Sequence, residues 1–164
     1  MLYSDLQCKE ISGFSHNLFF KRCHMIYIST IELFSCLMMT GAIWIVQLVH
    51  YPSFLFIAKE EFTKFEVFHQ RRISFVVMPL MVSELACHII LYATNSTQPS
   101  LLGIVSSISL FLIWFVTYFM CIPCHQSLCS VFEKKIVLKL IYYNCYRTAL
   151  WSIRSIIFFW HYIN

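Results

Sequence analysis

The chain is short of charge. Only 12% of its 164 residues are Asp, Glu, Lys or Arg, about half the share a soluble domain carries. A surface facing water on all sides cannot be built from that supply. Glycine and proline are also scarce, at three and four residues, which leaves little material for tight turns and argues against a β-rich or loop-rich fold. No internal repeat and no low-complexity tract is present. The N-terminus lacks the basic start, compact apolar run and small-residue cleavage site of a signal peptide.

What the chain has is apolar and aromatic: 59% hydrophobic residues, mean hydropathy +0.70, sixteen Phe, nine Tyr and four Trp. That composition fits a lipid-facing protein with aromatic belts. The length allows about four spans of ~20 residues each. They read as 27–57, 73–94, 100–122 and 140–163. Pro52 is expected to kink or end the first span near Tyr51, and Pro123 to stop the third. Residues 58–72 mix charges with Phe62, Phe65 and Phe68 and read as an interfacial helix. Residues 126–139 read as a second interfacial return. The fold class is therefore all-α: an integral membrane four-helix bundle, up-down-up-down, with short interfacial helices in the links. Residues 1–24 read as a polar extension preceding a single domain at 25–164, with Met25 an alternative start.

Net charge is +4, but the basic residues flank apolar segments, so a membrane explains them better than nucleic acid. Lys59, Lys64, Arg71 and Arg72 fall in one link and Lys134, Lys135 and Lys139 in another, on the same side. The opposite side carries Lys9, Lys21 and Arg22, and no basic residue in the 95–99 link. The positive-inside rule then puts both links in the cytoplasm and both termini outside, with a bacterial inner membrane as the location. The eight Cys are expected to be mostly free thiols, since several lie in apolar segments.

Polar residues interrupt these segments and converge by depth. Counting ~1.5 Å per residue, Gln47, His50, Tyr51, His69, Arg72, Thr117, His125, Asn144 and Arg147 fall in the cytoplasmic half and form a candidate ligand pocket. Asn144, Arg147, Thr148, Trp151 and Arg154 share one helix face. His50 and His125 are the candidate acid–base residues, and the Arg residues would hold an anionic or carbonyl group. Glu84 and Arg154 lie within ~4–5 Å of each other in depth and are expected to pair, with Glu32 a rival partner for Arg154. An isolated charge in lipid costs at least ~2.5–3.5 kcal/mol.

Cys121, Cys124 and His125 match the C-x-x-C-H pattern of c-type haem attachment. Its cytoplasmic placement opposes that reading. A thiol pair, or a zinc site with Cys129, is an alternative. Three histidines at one level also permit a b-type haem, with His50 and His125 the best axial pair. No broken-helix pair or inverted repeat supports a transporter. A bilayer is the expected partner, with a homo-oligomer or membrane partner as a further possibility. A non-catalytic membrane subunit is the competing class, its polar residues setting helix packing.

Several stretches together resemble an uncharacterised family of small four-span bacterial membrane proteins. They are WIVQLVHYPSF from Trp44 to Phe54, FHQRR from Phe68 to Arg72, PLMVSEL from Pro79 to Leu85, WFVT from Trp114 to Thr117, PCHQSL from Pro123 to Leu128 and NCYRTALWSIR from Asn144 to Arg154. The Y-P, P-x-H-x-x-L and N-x-x-R-T-x-x-W-x-x-R elements are the most specific. The family pattern has Trp after the Asn, where this chain carries Cys145. The resemblance implies the four-span fold and no established activity.

Overall fold

The computed structural model describes the backbone of residues 2–94 and 100–163 and the side chains of residues 22–94 and 100–160. The side chains of Cys8, Lys9, Lys21 and Tyr162, and the 95–99 link, lie outside the described residues. Every described element is helical: α1 (Leu2–Ile45), α2 (Tyr51–Ser53), α3 (Lys59–Ala93), α4 (Leu101–Val116), α5 (Ile122–Ser130) and α6 (Lys134–Ile163). Three helical stretches, Arg22–Phe56, Lys59–Ala93 and Leu101–Ser130, are long and apolar enough to cross a membrane. The fourth long helix, α6, carries Asn144, Arg147, Thr148 and Arg154 within its central turns, and these lower its hydropathy.

Neither Pro52 nor Pro123 stops its rod. The first rod runs past Tyr51 to the bound at 57 expected for the first span. It passes through a π-turn at Val46–His50, the short α2 and a 3₁₀ turn at Phe54–Phe56, and becomes extended only at Ile57. The third rod likewise passes a π-turn at Thr117–Cys121 and runs on through Pro123 to Ser130. In both rods the proline sits in the first turn of the helical segment after the π-turn. A proline ring clashes with the carbonyl four residues before it in a regular helix. Widening the preceding turn to i→i+5 spacing relieves that clash and lets the rod continue.

The expected interfacial helix and second span are one helix, α3. No Gly or Pro lies between Lys59 and Met78, so the change from charged to apolar composition alone does not break the backbone. Glu60 and Glu61 occupy the first turn, where carboxylates suit the helix dipole. Pro79 lies inside α3 without ending it. The return segment is also shorter than expected, an extended break at Val131 followed by α6 from Lys134.

The distribution of side chains is inverted relative to a water-soluble protein. Glu32, Glu66, Glu84, Asn144, Arg147 and Arg154 are buried, while Leu48, Phe75, Phe111 and Ile156 are exposed. The α1 rod packs on α3 and α6, α4 packs on α6, and α5 joins α3 to α6. Apolar clusters fill the spaces between. One, around Tyr51, Phe54, Phe62 and Leu128, lies at the Pro52 end. A second, around Cys36, Met39, Met81 and Trp151, lies at mid-length. Hydroxyls along the helices are satisfied locally, as in Thr30, Thr40, Ser74, Ser83 and Ser109, each bonded to the carbonyl four residues before it.

Candidate functional site

The polar side chains collect in two groups, one at each end of the rods. At the Pro52 end, His50 Nε2 lies 2.7 Å from His69 Nδ1. Tyr51 Oη lies 3.0 Å from His125 Nε2, and His125 Nδ1 lies 2.5 Å from Glu66 Oε1. Gln70 donates to the same Glu66 oxygen at 3.2 Å and to Cys129 Sγ at 3.1 Å. Glu66 is fully buried. Its carboxylate accepts from Nδ1–H of His125, which leaves Nε2 to accept the Tyr51 hydroxyl proton. The result is an ordered Glu66–His125–Tyr51 chain, with the imidazole tautomer set by the acid behind it.

The expected pocket residues divide. His50, His69 and Arg72 line a groove of about 410 Å³ between α1 and α3, walled otherwise by apolar side chains including Ala42, Val46, Phe65 and Val76. Arg72 stacks its guanidinium 5.4 Å from the Phe68 ring centre. Tyr51 and His125 stand behind the His pair, with ring centroids of His69 and His125 5.9 Å apart. Gln47, Asn144 and Arg147 form a chain that meets this wall: Asn144 donates to Gln47 at 2.8 Å, Arg147 Nη1 donates to Asn144 Oδ1 at 3.2 Å, and the Arg147 guanidinium also faces Tyr51 and Cys121. Thr117 is not part of either set; its hydroxyl bonds back to Ile113. The expected single pocket is therefore a groove with a hydrogen-bonded wall behind it. Among the described residues, four buried side-chain polar atoms have no partner: Glu66 Oε2, His69 Nε2, Trp114 Nε1 and Arg147 Nε.

Glu66 was outside the expected set because the charged run from Lys59 to Lys64 makes its neighbourhood read as solvated surface. Its spacing to His69 and Gln70, i, i+3 and i+4, is the signal that places the three on one face.

At the other end, Arg154 and Glu84 meet, together with Glu32. Arg154 Nε donates to Glu84 Oε1 at 2.9 Å, and Nη2 to Glu32 Oε1 at 3.1 Å. Nη1 donates to the Ser106 carbonyl at 2.6 Å and its hydroxyl at 3.0 Å. Trp151 Nε1 donates to the second Glu84 oxygen at 3.0 Å. Both proposed partners of Arg154 thus share one guanidinium, whose planar fork suits two carboxylates at once. His88, four residues after Glu84 on the same face, was not anticipated; its Nδ1 lies 2.8 Å from Glu32 Oε1. The two groups are linked along α6, where Arg147 stacks 5.2 Å from the Trp151 ring centre.

Metal and haem readings find little in these contacts. Among the described residues no group of three or more His, Cys, Asp or Glu has metal-holding geometry. The seven described cysteines, Cys121, Cys124 and Cys129 among them, are free thiols. His50 Nε2 and both ring nitrogens of His125 are engaged by protein partners. No family model, no curated protein and no solved structure matches this chain.

Proposed function

We propose that the chain is a small multi-pass protein of the bacterial inner membrane that binds an amphiphile in the groove between α1 and α3. In this reading the four long helical rods form an up-down-up-down bundle, with both termini outside and the groove on the cytoplasmic half, as in the four-span family it resembles. The apolar exterior supports burial in lipid, and the interior position of its polar residues supports α6 as the fourth span despite its lower hydropathy.

The observation that carries the reading is His69. It is buried, it lines the groove, and its Nε2 has no partner. An unpaired buried polar group costs roughly 1–3 kcal/mol, a cost that a head group in the groove would remove. Arg72, three residues on, supplies positive charge at the same wall. The ligand class is therefore a lipid-like molecule with an apolar tail and a carbonyl or carboxylate head. The Glu66–His125–Tyr51 chain holds the His pair from behind. A photoreactive long-chain fatty acid is the probe, added to delipidated protein in nanodiscs. Labelling should concentrate on α3 between Phe65 and Val76. His69→Phe and Arg72→Leu should each reduce it about tenfold, the equivalent of ~1.4 kcal/mol, with Lys135→Leu unchanged. Labelling spread evenly over the lipid-facing surface would reject the groove.

A second reading, a non-catalytic membrane subunit, has one observation in its favour. Phe111, Trp114, Phe115, Tyr118 and Phe119 surround a cleft of about 230 Å³, and the buried Trp114 Nε1 beside it has no partner. A neighbouring helix bearing a hydrogen-bond acceptor would fill it. Cysteine cross-linking from Phe115 in native membranes separates the two readings. A discrete heteromeric product supports the subunit.

A further inference from the structure

The two ring nitrogens of His50 are in different circumstances. Nε2 lies 2.7 Å from His69 Nδ1, and Nδ1 has no hydrogen-bond partner among the described residues. His50 is half-buried and His69 is buried beside it. Both line the groove between α1 and α3, together with Arg72. With hydrogen on His50 Nε2, that nitrogen donates to His69, and Nδ1 of His50 is a bare lone pair on a residue of the groove wall. Both rings are then neutral and the contact needs no added proton. A base held by a hydrogen bond from behind is the arrangement that general-base chemistry uses.

We propose that His50 is a general base, and that the groove moves a proton at the carbon beside a carbonyl of the amphiphile it holds. The inference rests on the groove as the binding site and adds a reaction to it. His50 Nδ1 takes a proton from that carbon. The C–H pair becomes the C=C bond of an enolate, and the carbonyl π pair moves onto oxygen, beside the Arg72 guanidinium. The hydrogen shared by the rings passes from His50 Nε2 to His69 Nδ1, so the positive charge spreads over two rings. Glu66 lies within electrostatic reach of both. Returning a proton to carbon reverses each change. The net result is exchange of a ligand hydrogen with water, or migration of a neighbouring double bond. No oxidant, reductant or leaving group takes part.

The rest of the groove wall selects this reaction class. Among the described residues it contains no Ser, Thr, Cys or Lys, so no side chain is placed to form an acyl or imine intermediate. Its remaining walls are apolar, which keeps water scarce and disfavours hydrolysis. Arg72 has no carboxylate partner among the described residues, and Phe68 holds its guanidinium from one face at 5.4 Å. Its N–H groups are left for oxygen, where the enolate gathers charge. The substrate class is therefore a long-chain ketone or unsaturated carbonyl lipid. A fatty acid already carries negative charge on its oxygens, so its carbon gives up no proton. It binds without reacting and serves as a competitor.

The test follows deuterium. Full-length protein in nanodiscs is incubated with a long-chain methyl ketone in heavy water, and deuterium beside the carbonyl is measured by mass spectrometry and NMR. Displacement of the photoreactive fatty acid reports how much ketone occupies the groove. Exchange should exceed that in protein-free nanodiscs by about 100-fold, the low end of what a positioned base contributes. His50→Gln should lose that excess, counted per ketone bound. In wild type the initial exchange should replace one of the two methylene hydrogens beside the carbonyl, because a base fixed on one side of the ligand reaches only that one. Ketone that displaces the fatty acid without exchanging would overturn the reaction and leave the groove standing. So would equal exchange of both methylene hydrogens, which decides the matter even where His50→Gln fails to fold. Fatty-acid labelling spread over the whole surface would remove the groove and this reaction with it.

Discussion

A single guanidinium organises one end of this molecule. Arg154 engages Glu84, Glu32 and Ser106, drawing α1, α3, α4 and α6 together. Removing one partner of a buried pair strands the other charge, at a cost of roughly 3–5 kcal/mol, whereas removing both is often far milder. Arg154→Gln leaves two carboxylates without their guanidinium and should lower the folded yield in detergent most; Glu84→Gln, which leaves Arg154 on Glu32, should lower it less, and the double variant should lose less than the sum of the two. Additive losses would show that the two charges do not support each other. Arg147 provides a second case. It is buried, stacks on Trp151 and holds Asn144. Lys135 lies in the first turn of α6 and is exposed. Arg147→Leu should reduce folded yield or ligand labelling several-fold while Lys135→Leu leaves both near wild type. Equal effects would reduce Arg147 to an anchor.

At the scale of the element, the two π-turns set the angular phase of the side chains beyond them. Each widened turn holds one residue more than a regular turn and so rotates the following residues relative to a 3.6-residue count. The turn at Val46–His50 precedes Tyr51 and includes His50, and the turn at Thr117–Cys121 precedes His125. The contacts His50–His69 and Tyr51–His125 are made with that offset in place. Pro52→Ala restores an N–H and removes the ring clash, so the rod can relax toward a regular helix. Helix content by circular dichroism should stay unchanged while fatty-acid labelling of the groove falls by about tenfold, ~1.4 kcal/mol. Undiminished labelling would show that the π-turn does not set the groove.

For the whole molecule, the inverted surface is the governing property. Charged residues inside and aliphatic residues outside are stable only where the surroundings are apolar. The protein should remain in the membrane fraction after alkaline carbonate extraction. Release into the supernatant would contradict an integral location. The proposed orientation rests on the basic residues flanking the rods. Reporter fusions at Thr63 and Ser100 should report opposite sides, with Thr63 cytoplasmic. A cytoplasmic signal from Ser100 would reverse the bundle and move the groove to the outer half.

The sequence by itself determined the helical class, the apolar rods and the height of each polar residue along its rod. Composition and a fixed rise per residue are enough for those, which is why Glu84, Glu32 and Arg154 could be matched by counting. Tertiary structure alone decided the angular relations. Depth does not say which way a side chain points once π-turns have shifted the phase, so Thr117 shared a level with His125 yet turned back to its own helix. Nor could local composition distinguish Glu66, buried against His125, from the solvated acids beside it. His88 acquired its meaning only when α1 brought Glu32 and α4 brought Ser107 to its two nitrogens. Such choices belong to the packing of distant segments, because a hydrogen bond across helices depends on rotation about each axis as much as on height along it.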